Sequence, residues 1–290
     1  MGRVAAALAG VAALALLLTA CGERKEPTGP GAALYPVTVA SPTGGKPVVV
    51  LRPAQRIAVI APSVQRIIVD LGAGRQIAGT PIAQNGSLLV SELRALHPDL
   101  IVASLATDDR DVARAAHAAR KAQVYRAPDD SITGVEETIT DLGLITNHPA
   151  DALRLVREIE RKRALVRKRL AGKRYVSVFV DSGFFTTFSN QSLVGDLLAA
   201  AHARNVAGDA APAGPFDPGQ LRRLDPRWYL ATSDSGTTLA GLRKNAKTKK
   251  LGAVRAGRFA IVDADLLAPG PTIGQGLVVL ARLLHPDAFR

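Results

Sequence analysis

Residues 149–169 read Pro-Ala-Asp-Ala-Leu-Arg-Leu-Val-Arg-Glu-Ile-Glu-Arg-Lys-Arg-Ala-Leu-Val-Arg-Lys-Arg. Leu153, Val156, Ile159, Leu165 and Leu170 fall at helical spacings and make one narrow apolar stripe. Arg154, Arg157, Arg161, Lys162, Arg163, Arg167, Lys168 and Arg169 cover the remaining circumference, which therefore faces water. Asn147-His148-Pro149 with Asp151 signals a helix start, and Gly172 a stop. A helix this polar is not a core element, and a segment this long is not a loop. The pattern predicts a rigid bar joining two bodies.

The sequence on either side of the bar repeats itself. Residues 93–104, Leu-Arg-Ala-Leu-His-Pro-Asp-Leu-Ile-Val-Ala-Ser, align without a gap on residues 221–232, Leu-Arg-Arg-Leu-Asp-Pro-Arg-Trp-Tyr-Leu-Ala-Thr. In each, an amphipathic helix ends before a proline, and a short apolar strand follows and finishes on a hydroxyl residue. Such units recur in any α/β protein, so a chance match is the bland alternative. Before the bar, predicted strands at 56–60, 76–79, 100–104 and 123–126 alternate with helices at 64–71, 88–96, 111–121 and 132–144. After it, strands at 175–180, 228–232 and 259–262 alternate with helices at 193–203, 219–224, 238–245 and 272–284. The fold class is thus α/β: two lobes, each a mostly parallel sheet flanked by helices, joined by one long bridging helix, with ligands met at the carboxyl ends of the strands.

At the start of the chain, Arg3 precedes an apolar run over residues 4–18 and then Leu18-Thr19-Ala20-Cys21-Gly22. This resembles a bacterial lipoprotein signal, which implies that Cys21 becomes the lipid-modified first residue of the mature chain. A membrane anchor or an ordinary secretory signal are the alternatives, and each still exports the protein. Cys21 is the single cysteine, so no disulfide closes within the chain. The predicted organisation is a signal peptide at 1–20, a tether at 21–53, an N-terminal lobe at 54–147, the bridging helix at 148–172 and a C-terminal lobe at 173–290.

Several motifs resolve into ordinary structure. Gly72-Ala73-Gly74 follows a helix instead of opening one after a strand, so it terminates that helix and is no nucleotide loop. The five histidines are scattered, and Asp108, Asp109, Asp111, Asp129 and Asp130 precede helices, where carboxylates cap free amides. Neither a nucleophile elbow nor a phosphate-binding loop is present, so no catalytic residue is assigned. Residues 181–191 carry three of the chain's seven phenylalanines beside hydroxyl and amide groups. Phe185 and Phe188 either face a ligand or plug the lobe's core, while Phe184 is the better candidate for exposure. The formal net charge is +12, concentrated in the bar and in Arg243, Lys244, Lys247, Lys249 and Lys250. Such a surface suits anionic ligands or lipid head groups, or merely reflects composition. Nucleic acid is no partner for an exported chain.

Taken in order, Ala61-Pro62-Ser63, Leu71-Gly72-Ala73-Gly74, Leu96-His97-Pro98-Asp99-Leu100-Ile101, the bar, Asn205-Val206, Leu224-Asp225-Pro226 and Pro269-Gly270-Pro271 resemble the periplasmic binding proteins of ABC importers for iron-siderophores, cobalamin and haem. The resemblance spans roughly residues 54–287. It implies a ligand held between the lobes, met by Pro62, Ser63, Ser104, Leu105, Phe184, Phe185, Thr187, Phe188, Ser233, Ser235, Pro271 and Thr272. It also implies an ABC permease and its ATPase as partners, no cofactor, no resident metal and a monomer on the extracytoplasmic face. Where the family often places docking acids this chain has Ser91 and Ala199, which leaves Glu92 and Asp196 as the candidates. A bare zinc or manganese binder, an exported enzyme and a polyanion-binding surface protein are the rival readings.

Overall fold

The computed structural model describes residues 33–41, 47–209 and 215–290. The signal peptide and Cys21 lie outside these residues. The first lobe is built on β3 (Ile57–Val59), β4 (Ile77–Gly79), β5 (Leu100–Ser104) and β6 (Gln123–Ala127), all parallel, in the order β4-β3-β5-β6. The second is built on β7 (Val176–Asp181), β8 (Ala203–Asn205), β9 (Trp228–Thr232) and β10 (Phe259–Val262), also parallel, in the order β10-β9-β7-β8. In both lobes the first strand lies between the second and the third. Both sheets therefore have their topological switch point between first and third strands, the place where α/β sheets open a crevice at their carboxyl edge.

The repeated unit is real in three dimensions. Helix α2 (Val90–Ala95) leads into β5 and helix α7 (Pro218–Leu224) into β9, with Leu93 and Leu221 fully buried at matching positions. His97 and Asp225, aligned in the repeat, both take left-handed backbone at φ 44° and 37°, because the chain must turn sharply before each proline.

The remaining helices cover the sheets: α1 (Pro62–Asp70), α3 (Asp109–Ala118) and α4 (Ile132–Ile145) in the first lobe, and α6 (Leu193–Ala200), α8 (Leu239–Lys244), α9 (Gly252–Arg255) and α10 (Ile273–Leu284) in the second. Pro62 sits in the first turn of α1, so Pro62 and Ser63 open the helix two residues ahead of its predicted start at 64. The second lobe's strand β8 has no predicted counterpart and begins at the last residue of the helix predicted over 193–203. That helix stops at Ala200, and His202 turns at φ 50°. Three residues with an exposed Arg204 give no readable period.

Helix α5 (Pro149–Arg169) is the predicted bar, packed on α4 of one lobe and α10 of the other. Its buried positions are Ala152, Ile159, Val166 and the following Leu170, whereas Leu153 and Leu165, assigned to the apolar stripe, are exposed. The helix touches a neighbour on each side, so the seam follows a seven-residue repeat instead of one continuous stripe. Gly143 on α4 and Gly274 on α10 admit it closely. A Cβ on Gly143 would stand 2.4 Å from that of Ala152, and one on Gly274 would stand 3.1 Å from the Ile159 Cα.

Part of the predicted tether belongs to the first lobe. Strands β1 (Val37–Val39) and β2 (Val48–Val50) pair antiparallel, and Val39, Val48 and Val50 enter the main core. Alternating valines give this hairpin one apolar face, which a free linker would leave in water.

Candidate functional site

The carboxyl ends of the two sheets border a cavity of about 450 Å³. The first lobe contributes Leu105 and Ala106 after β5, and Asp129 and Asp130 after β6. From the second come Phe188 after β7, residues 191–194 at the start of α6, and Leu267 with Pro269 ahead of α10. The wall is largely apolar, and its charged side chains are two carboxylates with no cation. A hollow of about 370 Å³ adjoins it in the first lobe, sharing Ala106 and bordered by Pro62, Ser63, Ser104 and Thr107. A separate groove of about 470 Å³ along α4 and α5, reaching Pro128 beyond β6, holds Glu136, Glu137, Asp141 and Glu160.

Asp129 is the residue that sequence reasoning missed. It was assigned to helix capping, but Ser131 takes that role on α4, accepting the Gly134 amide at 3.0 Å. Asp129 is instead 8% exposed in the cavity wall, and Ser63 Oγ donates to its Oδ2 at 3.2 Å. Burial lifts its carboxyl above the ordinary range, while the Ser63 hydrogen bond pulls the other way. Its place immediately beyond β6 was the available signal. Asp108, by contrast, does cap α3, accepting the Arg110 amide at 2.7 Å.

The structure brings Leu105 and Phe188 together across the cavity and ties Ser63 to it through Asp129. Several other predicted residues spend their polar groups on partners within their own lobe. Thr187 is a core residue: its hydroxyl donates to Val180 O and accepts from Asn205 Nδ2 at 2.8 Å. Ser104 is buried and accepts the Ala106 amide at 3.1 Å. Ser233 accepts from the Ala264 amide at 3.0 Å, Ser235 donates to Thr232 O at 2.7 Å, and Thr272 donates to Asp265 O at 3.1 Å. Pro271 is half-buried ahead of α10 and lies outside the cavity lining.

Phe184 and Phe185 occupy a tight turn at the end of β7, both left-handed at φ 52° and 63°. Bulky residues take this conformation at a cost of roughly 1–3 kcal/mol each. Buried Asp181 meets that cost: its Oδ1 accepts the Gly183 and Phe185 amides at 2.8 and 3.1 Å, and its Oδ2 accepts the Tyr229 and Thr237 hydroxyls at 2.6 and 2.8 Å. The turn leaves Phe184 87% exposed, while Phe185 packs against the second lobe's core. Phe185 thus takes the plug role and Phe184 the exposed one.

Of the docking acids, Glu92 is exposed on α2. Asp196 is half-buried and crosses between lobes, its Oδ2 accepting the Ile132 amide at 2.8 Å at the start of α4. Among the described residues no group of three or more histidine, cysteine or acidic side chains is placed to hold a metal, and no helix is long and apolar enough to cross a membrane.

A family profile described as periplasmic binding protein matches residues 80–266. The chain belongs to the periplasmic binding protein family. It is therefore an extracytoplasmic substrate-binding protein of the ABC-importer kind. A search of curated proteins finds no match. Among solved structures, Helicobacter pylori CeuE with Ni(II) bound has a TM-score of 0.76 at 16% identity, over 87% of this chain and 90% of that one. The molybdate-binding protein MolA of Haemophilus influenzae gives 0.75 at 15%, over 87% and 92%. The vitamin B12-binding protein BtuF of Vibrio cholerae gives 0.69 at 16%, over 82% and 99%. At these identities the likeness carries the fold.

Proposed function

We propose that this chain captures an iron-siderophore, cobalamin or haem-like ligand between its lobes and delivers it to a membrane permease driven by a separate ATPase. The observation that carries this reading is the cavity of about 450 Å³ at the facing carboxyl ends of two like sheets. That volume falls within the range of ligand sites, and Leu105, Phe188, Leu193 and Leu267 give it apolar surface to cover a bulky guest. Affinity comes from burial of apolar faces, and no bond is made or broken. A lipid on Cys21 holds the monomer at the membrane, and Glu92 is its docking contact, since Asp196 is engaged between the lobes.

Asp129 and Asp130 favour a guest whose rim donates hydrogen bonds or carries positive charge, and they oppose an oxyanion or a carboxylate-rich complex. Within the proposed ligand range this places amide-rich corrinoids and neutral or cationic ferric complexes first. The test is native mass spectrometry of the chain from Gly22 onward against ferric siderophores, cobalamin, haem, zinc and manganese. A one-to-one complex with one of the first three classes supports the reading. Tight binding of zinc or manganese alone would overturn it.

A further inference from the structure

A second concave site lies at the opposite edge of the second lobe, where its strands begin. Arg174 precedes β7 by two residues, Arg227 immediately precedes β9, and Arg258 immediately precedes β10. These strands are neighbours in the order β10-β9-β7 and run parallel, so the residues ahead of them stand side by side. Lys173 joins them around a hollow of about 370 Å³, closed on its far side by the C-terminal turn. Among the described residues none of these four cationic groups forms an ion pair. The single acid of the lining, Asp287, is taken by Arg290 at 3.3 Å. Burial holds His285 below the ordinary histidine range, so it adds no fifth charge at neutral pH.

Four unpaired cations around one hollow repel each other until an anion enters, and Arg and Lys are the side chains that bind phosphate oxygens. Two aromatic residues frame the hollow. Tyr175 is 63% exposed, stacked on His202 at 5.1 Å, and Trp228 is half-buried. Cations beside amphipathic rings are the surface chemistry of a membrane interface. The basic end of α5 adjoins the rim, since Arg169 Nη1 donates to Ala288 O at 3.4 Å.

The hollow also lies apart from the ligand cavity. At the other end of α5, Ala33 donates its amide to Asn147 Oδ1 at 2.9 Å, and Tyr35 Oη donates to Leu144 O at 2.6 Å. The described chain therefore joins the body at the amino edge of the first sheet, at the far end of α5 from the hollow, and both points lie away from the ligand cavity. We infer that Lys173, Arg174, Arg227 and Arg258 form a binding site for the phosphate of an anionic phospholipid head group. The site would hold the second lobe to the membrane by the edge where its strands begin, away from the ligand cavity at their carboxyl ends. This inference rests on the proposed extracytoplasmic, membrane-held location.

Trp228 is the single tryptophan, so its fluorescence reports this site directly. The full chain is titrated with vesicles of equal phosphatidylglycerol and phosphatidylcholine, and with phosphatidylcholine alone, which sets the baseline for the apolar residues 4–18. The expected result is a blue shift of Trp228 and tighter partition on anionic vesicles, abolished by high salt. Each basic residue near an anionic surface is worth about fivefold in partition. Arg227→Gln with Arg258→Gln should thus erase about 25-fold of the anionic preference, while Arg110→Gln with Arg114→Gln erases none. Equal partition on both vesicles, or a preference untouched by the first pair, overturns the inference. A Trp228 response to inorganic phosphate without vesicle preference does the same, and identifies a free anion as the ligand. The Arg227/Arg258 variant should keep its cavity ligand in native mass spectrometry, so failure of this inference is separable from failure of the transport reading.

Discussion

At the residue scale, two carboxylates with raised pKa have different consequences. Asp129 faces the cavity, and Asp129→Asn keeps the shape while removing charge. Affinity for a cationic or donor-rich ligand should fall by about tenfold or more, since hydrogen bonds to charged groups are worth about 1.5–3 kcal/mol, and an anionic analogue should bind better than before. Isothermal titration of both ligands checks this, and parallel loss for both would mean that Asp129 merely shapes the wall. Asp141 lies in the separate groove along α4 and α5. Burial and the neighbouring charge of Glu137 push its carboxyl up to about 6, although the Tyr125 hydroxyl donating at 2.9 Å pulls it down. The folded state therefore holds that proton more tightly than the unfolded one. Its stabilising effect is full below about pH 4 and is lost as pH rises through about 6. Asp141→Asn should lose less stability than the parent between about pH 4 and 6, measured by thermal melts. The residues themselves show why sequence found only part of the site. Ser63, Leu105 and Phe188 were legible from their places after strands. Thr187 and Ser235 also follow strands, but the Thr187 hydroxyl is met by Asn205 from elsewhere in the lobe and the Ser235 hydroxyl closes its own turn on Thr232 O.

At the element scale, strong periods and proline or glycine punctuation were readable. β5, β9 and β10 match their predicted bounds, and so does the run of α5. β8 and α9 are too short to show a period, and the inward face of α5 depends on two neighbours that a one-dimensional stripe does not contain. Contact between those helices rests on glycine. Alanine in place of glycine in a helix ordinarily gains about 1 kcal/mol from propensity. At Gly143 the added methyl meets Ala152 Cβ at 2.4 Å and His148 O at 3.2 Å. Gly143→Ala should therefore reverse the usual sign and destabilise by about 1–3 kcal/mol, because two helix backbones must move apart. Denaturant melts decide it, and a stabilised variant would show that the α4–α5 crossing is looser than its geometry.

At the scale of the whole molecule, the lobes are not two independent bodies on a hinge. One apolar core runs from Ile57 and Leu100 in the first lobe through Ile139, Ile159 and Val166 to Val178, Leu197 and Leu277 in the second. Two polar links reinforce it: Asp196 on the Ile132 amide at 2.8 Å, and Arg66 facing Asp265 at 3.7 Å. The second link is exposed and contributes little, but the first satisfies a helix-start amide in partly buried surroundings. Opening the cavity widely would tear buried apolar surface on α5 from both neighbours, at about 25 cal/mol per Å² exposed. Ligand entry is thus accommodated by the loops at the strand ends, while the bar and both sheets stay fixed. A body of this size has a radius of gyration of about 18 Å. Small-angle scattering with and without saturating ligand should give superimposable curves near that value. A contraction of more than about 1 Å, beyond the backbone movement typical of preorganised sites, would show that the continuous core yields on binding.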